Sequence, residues 1–228
     1  MMATLYIIAT PIGNLEDISP RALRILGEVD LVLCEDTRVT KKLLSHFNIK
    51  TPTLSYHSNS GLTKTDKILD LLESGKNLAL VSDAGTPAIS DPGASLVSCV
   101  REEFGDSISI ISISGPSALI SALSVSGLPA SDFLFLGFLP HKKGRETQLK
   151  EAVDSRRTTV FYESPHRIMK TLNWLKDNLE DDRRVVVSKE LTKIYEESIS
   201  GSSKEVFEYF EENEDKVRGE FVIMVSGK

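Results

Sequence analysis

Short apolar runs alternate with helical patterns in the first half of the chain, and this alternation constrains the fold more than any other feature. The runs are Leu5–Ala9, Leu31–Cys34, Leu78–Val81 and Ile108–Ile113. Strands of a parallel sheet are apolar along their length when helices cover both faces. Strands that alternate with helices therefore predict a parallel α/β sheet.

Helix signals lie between these runs. Ser19 and Pro20 supply an N-cap and a proline at the first helical position, and an apolar stripe follows up to a predicted end near Gly27. A second stripe covers Ile68–Leu72, and Gly75 stands where a left-handed C-terminal cap is usual.

The second half begins at a glycine and proline break, Ser114–Ser117, which precedes an apolar helix near Ala118–Val125. We therefore predict an N-terminal α/β domain over residues 1–114 and a C-terminal α/β domain over residues 115–228. Further strands are predicted at Phe133–Leu136, Thr158–Tyr162, Val185–Ser188, Tyr195–Ser200 and Glu220–Val225. Only two longer helices are expected among them, so this sheet should be mixed. The polar stretch Lys142–Thr147 is expected to be a mobile loop.

Length, charge and cysteine content exclude several classes of function. A chain of 228 residues with a net charge of −6 is large enough for two small cores, and its charge argues against a wholesale nucleic-acid binder. No stretch is long and apolar enough for a membrane span or signal peptide. Cys34 and Cys99 lack metal-ligand spacing, and we interpret both as core residues of a protein from a reducing, cytoplasmic compartment.

Four loops follow predicted strand ends, where open α/β sheets place their ligands. They combine glycines, prolines and carboxylates, which permit close approach, hold shape and accept hydrogen bonds. Any one of them is explained equally well as a turn or helix cap, whereas four together favour a ligand site. The loops are Thr10–Asp17, Glu35–Arg38, Ser82–Gly93 and Gly115–Ala118.

Familiar catalytic and nucleotide motifs are missing from the sequence. It contains no GxGxxG and no GxxxxGK[ST], which disfavours a Rossmann dehydrogenase and a P-loop NTPase. The histidines lack HExxH spacing and the cysteines CxxC spacing, so we expect no metal. A GxSxG nucleophile elbow is also absent.

The segments ATPIGNLEDISPRA, CEDTR, LVSDAGTPAISDPG, GFLPHKKGR, FYESPHR and SKELTKIYEE together carry a resemblance. The chain resembles the small-subunit ribosomal RNA ribose-2′-O-methyltransferase I family of the tetrapyrrole methylase superfamily, from about Leu5 to Val225. The resemblance implies two α/β domains with S-adenosylmethionine in the cleft between them. It also implies a homodimer that methylates a cytidine ribose in the decoding region of 16S ribosomal RNA, in the small subunit.

The resemblance also implies cofactor-binding residues. The turn after the strand at Leu78–Val81 supplies most of them, and the first loop, the domain junction and two later strand ends supply the rest. One of these strand ends is the stretch Glu190–Thr192, and an alternative for Glu190 is an ion pair with Lys189 or Lys193. An alternative for Phe161 is a core position. The implied residues are Pro11, Asp83, Gly85, Thr86, Pro87, Ser117, Ala118, Phe161, Tyr162 and Leu191.

Methyl transfer from a sulfonium to an alcohol depends mainly on positioning, and a general base assists by accepting the hydroxyl proton. The sequence does not choose among Glu16, Asp36, His57, Asp83, Glu163, His166 and Lys189, of which we favour Asp36, Glu163, His166 and Lys189. Glu163 is interpreted equally well as part of a structural cluster at a helix start.

Basic residues cluster in one part of an otherwise acidic chain. We predict that Lys142, Lys143, Arg145 and Arg167 contact substrate RNA, because cations neutralise phosphates. The alternative is an ordinary solvated face. A tetrapyrrole methyltransferase and a non-catalytic ribosome-assembly binder also remain open as functions.

Overall fold

The computed structural model describes residues 3–57, 62–91 and 93–228. The chain divides into two compact units, Met1–Ser117 and Ala118–Lys228. The division lies close to the boundary predicted between residues 114 and 115.

Unit 1 contains one sheet whose five strands all run parallel, in the order β3-β2-β4-β1-β5. The predicted parallel α/β sheet is therefore confirmed. Its strands are β1 (Thr4–Ile8), β2 (Leu31–Cys34), β3 (Thr53–Ser55), β4 (Leu78–Leu80) and β5 (Ser109–Ile113). Its helices are α1 (Pro20–Glu28), α2 (Thr37–His46), α3 (Leu62–Glu73) and α4 (Gly93–Phe104).

Side chains of β1 show why its apolar run is continuous. Leu5 and Ile7 join the core under α3 and α4, whereas Tyr6 and Ile8 point to the opposite core under α1 and α2. Alternate residues of a strand face opposite sides, so a strand with helices on both sides needs apolar residues at every position. The fully apolar pattern thus follows from a three-layer arrangement.

Local capping fixes the helix ends. The Ser19 hydroxyl accepts a hydrogen bond from the Ala22 N–H at 3.1 Å, and Pro20 takes the first helical position of α1. Gly75 adopts the left-handed φ of +87° that the cap after α3 requires. Cys34 is fully buried as predicted, whereas Cys99 is only half-buried.

Unit 2 contains a mixed sheet of order β6-β7-β10-β8-β9, as predicted. Only β6 and β7 pair in parallel, and the remaining pairs are antiparallel. The strands are β6 (Phe133–Phe138), β7 (Thr158–Glu163), β8 (Arg184–Lys189), β9 (Glu197–Ser202) and β10 (Phe221–Val225). The helices are α5 (Ala118–Ser126), α6 (Arg145–Asp154), α7 (Ile168–Asn178) and α8 (Ser203–Glu212).

Three helices, rather than the two expected, lie among the strands of unit 2. The prediction of a mobile loop over Lys142–Thr147 was wrong in part, because α6 begins at Arg145. Gly144 has a left-handed φ of +88° and starts this helix without a side-chain cap, so the usual N-cap signal is missing. Leu149 and Ala152 anchor α6 in the core of unit 2.

Candidate functional site

Three loops meet at the carboxyl edge of the unit 1 sheet, after β1, β4 and β5. Thr10 and Gly85 exchange two backbone hydrogen bonds, of 2.9 and 3.0 Å, which join the loop after β1 to the loop after β4. The Thr86 hydroxyl donates to the Pro116 carbonyl at 3.1 Å, which joins the loop after β4 to the loop after β5. These bonds fix the backbone of the edge where α/β sheets bind ligands.

Gly85 is required at this junction. Its φ is +81°, a conformation that residues with a side chain rarely adopt. A Cβ atom at this position would lie 3.5 Å from the Ile12 side chain. The Ser82 hydroxyl donates to the Gly85 carbonyl at 3.1 Å, and the Thr10 hydroxyl donates to the Ser82 carbonyl at 3.1 Å. The turn is therefore stabilised from both sides.

The rest of the loop after β4 has a strained backbone. Ala88 and Ser90 adopt left-handed φ values of 70° and 60°, which cost energy in non-glycine residues. Asp91 compensates, because its Oδ1 accepts hydrogen bonds from the Ala88 and Gly93 N–H groups at 2.7 Å each. Pro92, which belongs to the predicted loop, lies outside the described residues.

The edge is acidic. The stretches 9–19, 82–92 and 114–117 contain Glu16, Asp17, Asp83 and Asp91 but no lysine or arginine. The exposed Asp83 carboxylate accepts a hydrogen bond from the Asp36 N–H at 3.1 Å, which links the loops after β4 and β2. A ligand bound here meets hydrogen-bond acceptors and a negative potential.

A pocket of about 470 Å³ opens beside Asp83, at the carboxyl ends of β2, β3 and β4, and we refer to it as the β2–β4 pocket. Burial, together with the carboxylates of Asp91 and Asp83, raises the pKa of Glu35 above its usual range. The pocket is lined by polar and charged residues, namely Glu35, Asp36, Thr37, Arg38, Ser55, His57 and Asp83.

Asp36 and Arg38 form an ion pair at the start of α2. The Arg38 Nη2 atom lies 2.6 Å from Asp36 Oδ2, and the Arg38 N–H donates to Asp36 Oδ1 at 2.8 Å. The Arg38 side chain and backbone together lower the pKa of Asp36 to about 2. Asp36 is therefore a weak base at neutral pH, which counts against its predicted catalytic role.

Most of the predicted cofactor residues of unit 1 lie together at this edge. Pro11 and Ser117 are half-buried, and the turn from Asp83 to Pro87 contains the bonds described above. Glu35 and Ser55 were not selected from the sequence. Ser55 ends a three-residue strand, β3, which is too short to show a periodic pattern.

The predicted cofactor residues of unit 2 have different environments. Phe161 has no exposed surface and packs in the core of unit 2, so its side chain takes the core position that was the alternative interpretation. Tyr162 is half-buried and contacts the rings of Phe135 and Phe138. Ala118 begins α5 and is half-buried, whereas Leu191 is buried.

Glu163 is the centre of a buried ionic network. Its carboxylate lies 2.7 Å from Arg145 Nη2 and 2.9 Å from Arg167 Nε, and it accepts a hydrogen bond from the Thr171 hydroxyl at 2.8 Å. The side chain has no exposed surface. Two cations stabilise its charge, so the structural interpretation of Glu163 replaces its candidacy as a general base.

The same network corrects two predicted RNA contacts. Arg145 is 8% exposed and points at Glu163, while Arg167 Nη1 donates to the Leu139 carbonyl at 2.9 Å. A guanidinium held inside the protein cannot contact a phosphate without breaking this pair. Lys142 and Lys143 are exposed and fit the prediction better.

The other two favoured candidates for a general base, Lys189 and His166, differ in their exposure to solvent. Lys189 is 4% exposed and lies in strand register opposite Phe221, which in turn lies opposite Glu163. His166 is exposed. Glu190 pairs with Lys193 at 2.9 Å, as the alternative interpretation of Glu190 expected.

No group of three or more His, Cys, Asp or Glu side chains within residues 3–57, 62–91 and 93–228 is placed to hold a metal ion. Over the same residues, no helix has the length and apolar character needed to cross a membrane.

Comparisons with known proteins identify the class. The sequence profile of the tetrapyrrole (corrin/porphyrin) methylases matches residues 4–206. The fold is similar to uroporphyrin-III-C-methyltransferase from Thermus thermophilus, with a TM-score of 0.65 and 18% identity over 98% of this chain and 94% of that one. Cobalt precorrin-4 methyltransferase gives a TM-score of 0.68 and 19% identity, covering 98% and 94%. The fold is thus that of the tetrapyrrole methylases.

Similarity in sequence is much higher to another group. Proteins named ribosomal RNA small subunit methyltransferase I share 47% identity in Thermotoga maritima, over 100% of both chains, and 46% in Vibrio cholerae, over 98% of this chain and 77% of that one. The Bacillus subtilis relative is 44% identical over 99% of this chain and 76% of its own length. The chain therefore belongs to the tetrapyrrole methylase family and, within it, to the family of the small subunit methyltransferases I.

We predict that Glu163→Ala lowers the free energy of unfolding by about 3–5 kcal/mol, because it leaves Arg145 buried without its partner. Denaturant unfolding measures this. The matched control is Glu146→Ala, which removes an exposed partner of Lys150 on α6 and should leave the midpoint nearly unchanged. Equal effects of the two variants would contradict the network's structural role.

We predict that Glu35→Gln raises Tm at pH 7 by roughly 1 °C, a small effect because water screens this partly exposed group. The folded-state pKa of Glu35 is raised, so the stability due to its protonated form is lost as pH rises through that value. The difference from the parent protein should disappear below pH of about 4, where Glu35 is protonated in both states. Calorimetry at both pH values measures this, with Glu102→Gln on α4 as the control. A Tm difference between Glu35→Gln and the parent protein that does not change with pH would refute the raised pKa of Glu35.

Proposed function

We propose that the protein transfers a methyl group from S-adenosylmethionine to the ribose 2′-hydroxyl of a cytidine in the decoding region of 16S ribosomal RNA. The observation that carries this proposal is 43–47% identity, over 98% or more of the chain, to proteins named ribosomal RNA small subunit methyltransferase I. Methyltransferase is the class that the family supplies, and the cofactor, the cytidine and the ribose position are the parts proposed.

The acidic edge of unit 1 fits this cofactor. S-adenosylmethionine carries a sulfonium and an ammonium against one carboxylate, so a site without lysine or arginine suits its net positive charge. The exposed Asp83 carboxylate would accept hydrogen bonds from ribose hydroxyls or the ammonium, and Gly85 supplies the left-handed φ that the turn beside Asp83 requires. When bound, the cofactor supplies an electrophilic methyl group.

The residues of the chain contribute mainly through position. Joined loops at Thr10, Gly85 and Pro116 hold the edge in one conformation before any ligand binds. Preorganisation of this kind can contribute roughly 7–11 kcal/mol to a reaction between two bound groups. Among the favoured candidates for a proton acceptor, His166 is an exposed imidazole, a group suited to proton transfer near neutral pH, whereas the pKa of Asp36 is lowered to about 2.

Substrate RNA is proposed to contact the segment before α6. Lys142 and Lys143 are exposed there, next to His141 and Gly144, and form a local basic surface on a chain of net charge −6. Phosphate contacts position a nucleic acid without reading its sequence. A protein that works on assembled subunits needs only such a local patch, which reconciles the acidic total with an RNA substrate.

A tetrapyrrole substrate is the second candidate. The solved tetrapyrrole methyltransferases share the fold, but at 18–19% identity they support the fold alone. The non-catalytic binder is disfavoured by the intact turn around Gly85 and its bonds to Thr10. The homodimer and the cytoplasmic location remain proposals that rest on the family resemblance.

Transfer of tritium from labelled S-adenosylmethionine to isolated small subunits tests the proposal, followed by mapping of the modified ribose. We expect label in 16S RNA at one cytidine and none in tetrapyrroles. Asp83→Asn keeps the shape of the turn and should weaken S-adenosylmethionine binding about 10-fold or more by calorimetry, because a charged hydrogen-bond acceptor is lost. A folded parent protein that binds no cofactor would overturn the proposal.

Lys142→Ala with Lys143→Ala should raise KM for small subunits several-fold and reduce the salt dependence of binding, since each lost phosphate contact removes counterion release. S-adenosylmethionine affinity should not change, because that site is proposed in the loops of unit 1. The matched control is Lys41→Ala with Lys42→Ala, two exposed lysines on α2. Identical salt responses in the two double variants would show that the RNA contact lies elsewhere.

A further inference from the structure

We propose that the β2–β4 pocket holds the nucleoside of the target nucleotide, and that Glu35 selects a base with an exocyclic amino group. This inference rests on the proposed function and adds a site and a specificity-determining residue to it. Pockets for small ligands are commonly about 300–1,000 Å³, so a volume of about 470 Å³ suits one nucleoside lifted out of its RNA strand.

The pocket lining explains why a nucleoside, and not a phosphate, is the occupant. Three of its lining residues, Glu35, Asp36 and Asp83, carry carboxylates. Arg38 and His57 also line the pocket, but the Arg38 guanidinium is bound to Asp36 through contacts of 2.6 and 3.0 Å. A phosphate would therefore meet net negative charge, whereas amino and hydroxyl groups would find acceptors.

Glu35 is the acceptor best placed to discriminate between bases. It is half-buried, and burial and the carboxylates of Asp91 and Asp83 raise its pKa. Its carboxylate accepts one hydrogen bond from the Asp83 backbone N–H, which leaves other lone pairs for a ligand. Carboxylates accept hydrogen bonds from the amino group of cytosine. Uracil presents a carbonyl oxygen at the same place, and a carboxylate repels it. An acceptor that is poorly solvated makes this distinction larger, because an unpaired group inside a site is costly.

Asp83 joins this pocket to the proposed cofactor turn. It lines the pocket, and its Oδ1 accepts the Asp36 N–H at 3.1 Å, while two residues later Gly85 is bonded to Thr10. A nucleoside in the pocket would therefore lie next to the loop that is proposed to hold the methyl donor. The arrangement provides neighbouring places for the two reactants on one sheet edge.

Methyl transfer to small subunits by Glu35→Ala provides the test. We expect kcat/KM to fall 10-fold or more while the Kd for S-adenosylmethionine stays within 2-fold of the parent value. For Glu35→Gln, which keeps one acceptor oxygen, kcat/KM should lie between the values of Glu35→Ala and the parent protein. The control is Glu102→Ala, a change of an exposed carboxylate on α4, which should retain parent activity.

The outcomes separate this inference from the proposed function. A parent protein without activity on subunits would refute the function itself. An active parent protein with an equally active Glu35→Ala variant would refute the pocket assignment. Loss of S-adenosylmethionine binding in Glu35→Ala would also refute it, because the pocket would then belong to the cofactor.

A competition experiment on the unmodified protein needs no variant to fold. Free cytidine should inhibit methyl transfer to subunits at concentrations at least several-fold lower than uridine requires. Inorganic phosphate should have no effect beyond that of chloride at equal ionic strength. Equal inhibition by cytidine and uridine, or inhibition by phosphate, would overturn the inference.

Discussion

The reciprocal backbone hydrogen bonds between Thr10 and Gly85 are the interaction on which the candidate site depends. They join loops that are 75 residues apart in sequence, and the hydroxyls of Thr10 and Ser82 reinforce them. Without this junction, no backbone hydrogen bond between Thr10 and Gly85 would hold the loop after β1 against the loop after β4. With it, the acidic edge and the β2–β4 pocket become one fixed surface, because Asp83 precedes Gly85 by two positions and accepts the Asp36 N–H.

The sequence predicted the central strands well because β1, β2, β4 and β10 are buried on both faces. Leu31–Cys34 was predicted with the observed bounds, since every residue of that run packs between helices or strands. Strand β3 was missed because three half-buried residues carry no period. The start of helix α6 was missed because it follows Gly144 in a segment rich in basic residues, where composition resembles that of a loop. Its core contacts, which decide its conformation, are long-range and leave little trace in the local sequence.

The candidate site was predictable in its positions but not in its electrostatics. Turn residues such as Gly85 can be recognised from the sequence, because glycine and proline directly after a strand indicate a turn. Charged residues do not, because a side chain of the same type serves in solvent or in a buried pair. Arg145 and Lys143 are neighbours in one basic stretch, yet only Arg145 points inward to Glu163. Burial depends on helix phase and on residues from β7 and α7, which the local pattern does not specify.

Charge is distributed along the chain according to the chemistry proposed for each part. The edge of unit 1 has carboxylates without lysine or arginine in its loops after β1, β4 and β5, and this arrangement has an energetic consequence for folding. Burial, together with the like charges of Asp91 and Asp83, raises the pKa of Glu35, so the folded protein is less stable at neutral pH than one with a neutral side chain there. A chain selected for stability alone would lose such a group readily. The Asp83 backbone N–H donates to the Glu35 carboxylate and offsets part of this cost, and a further hydrogen-bond donor on a ligand would offset more.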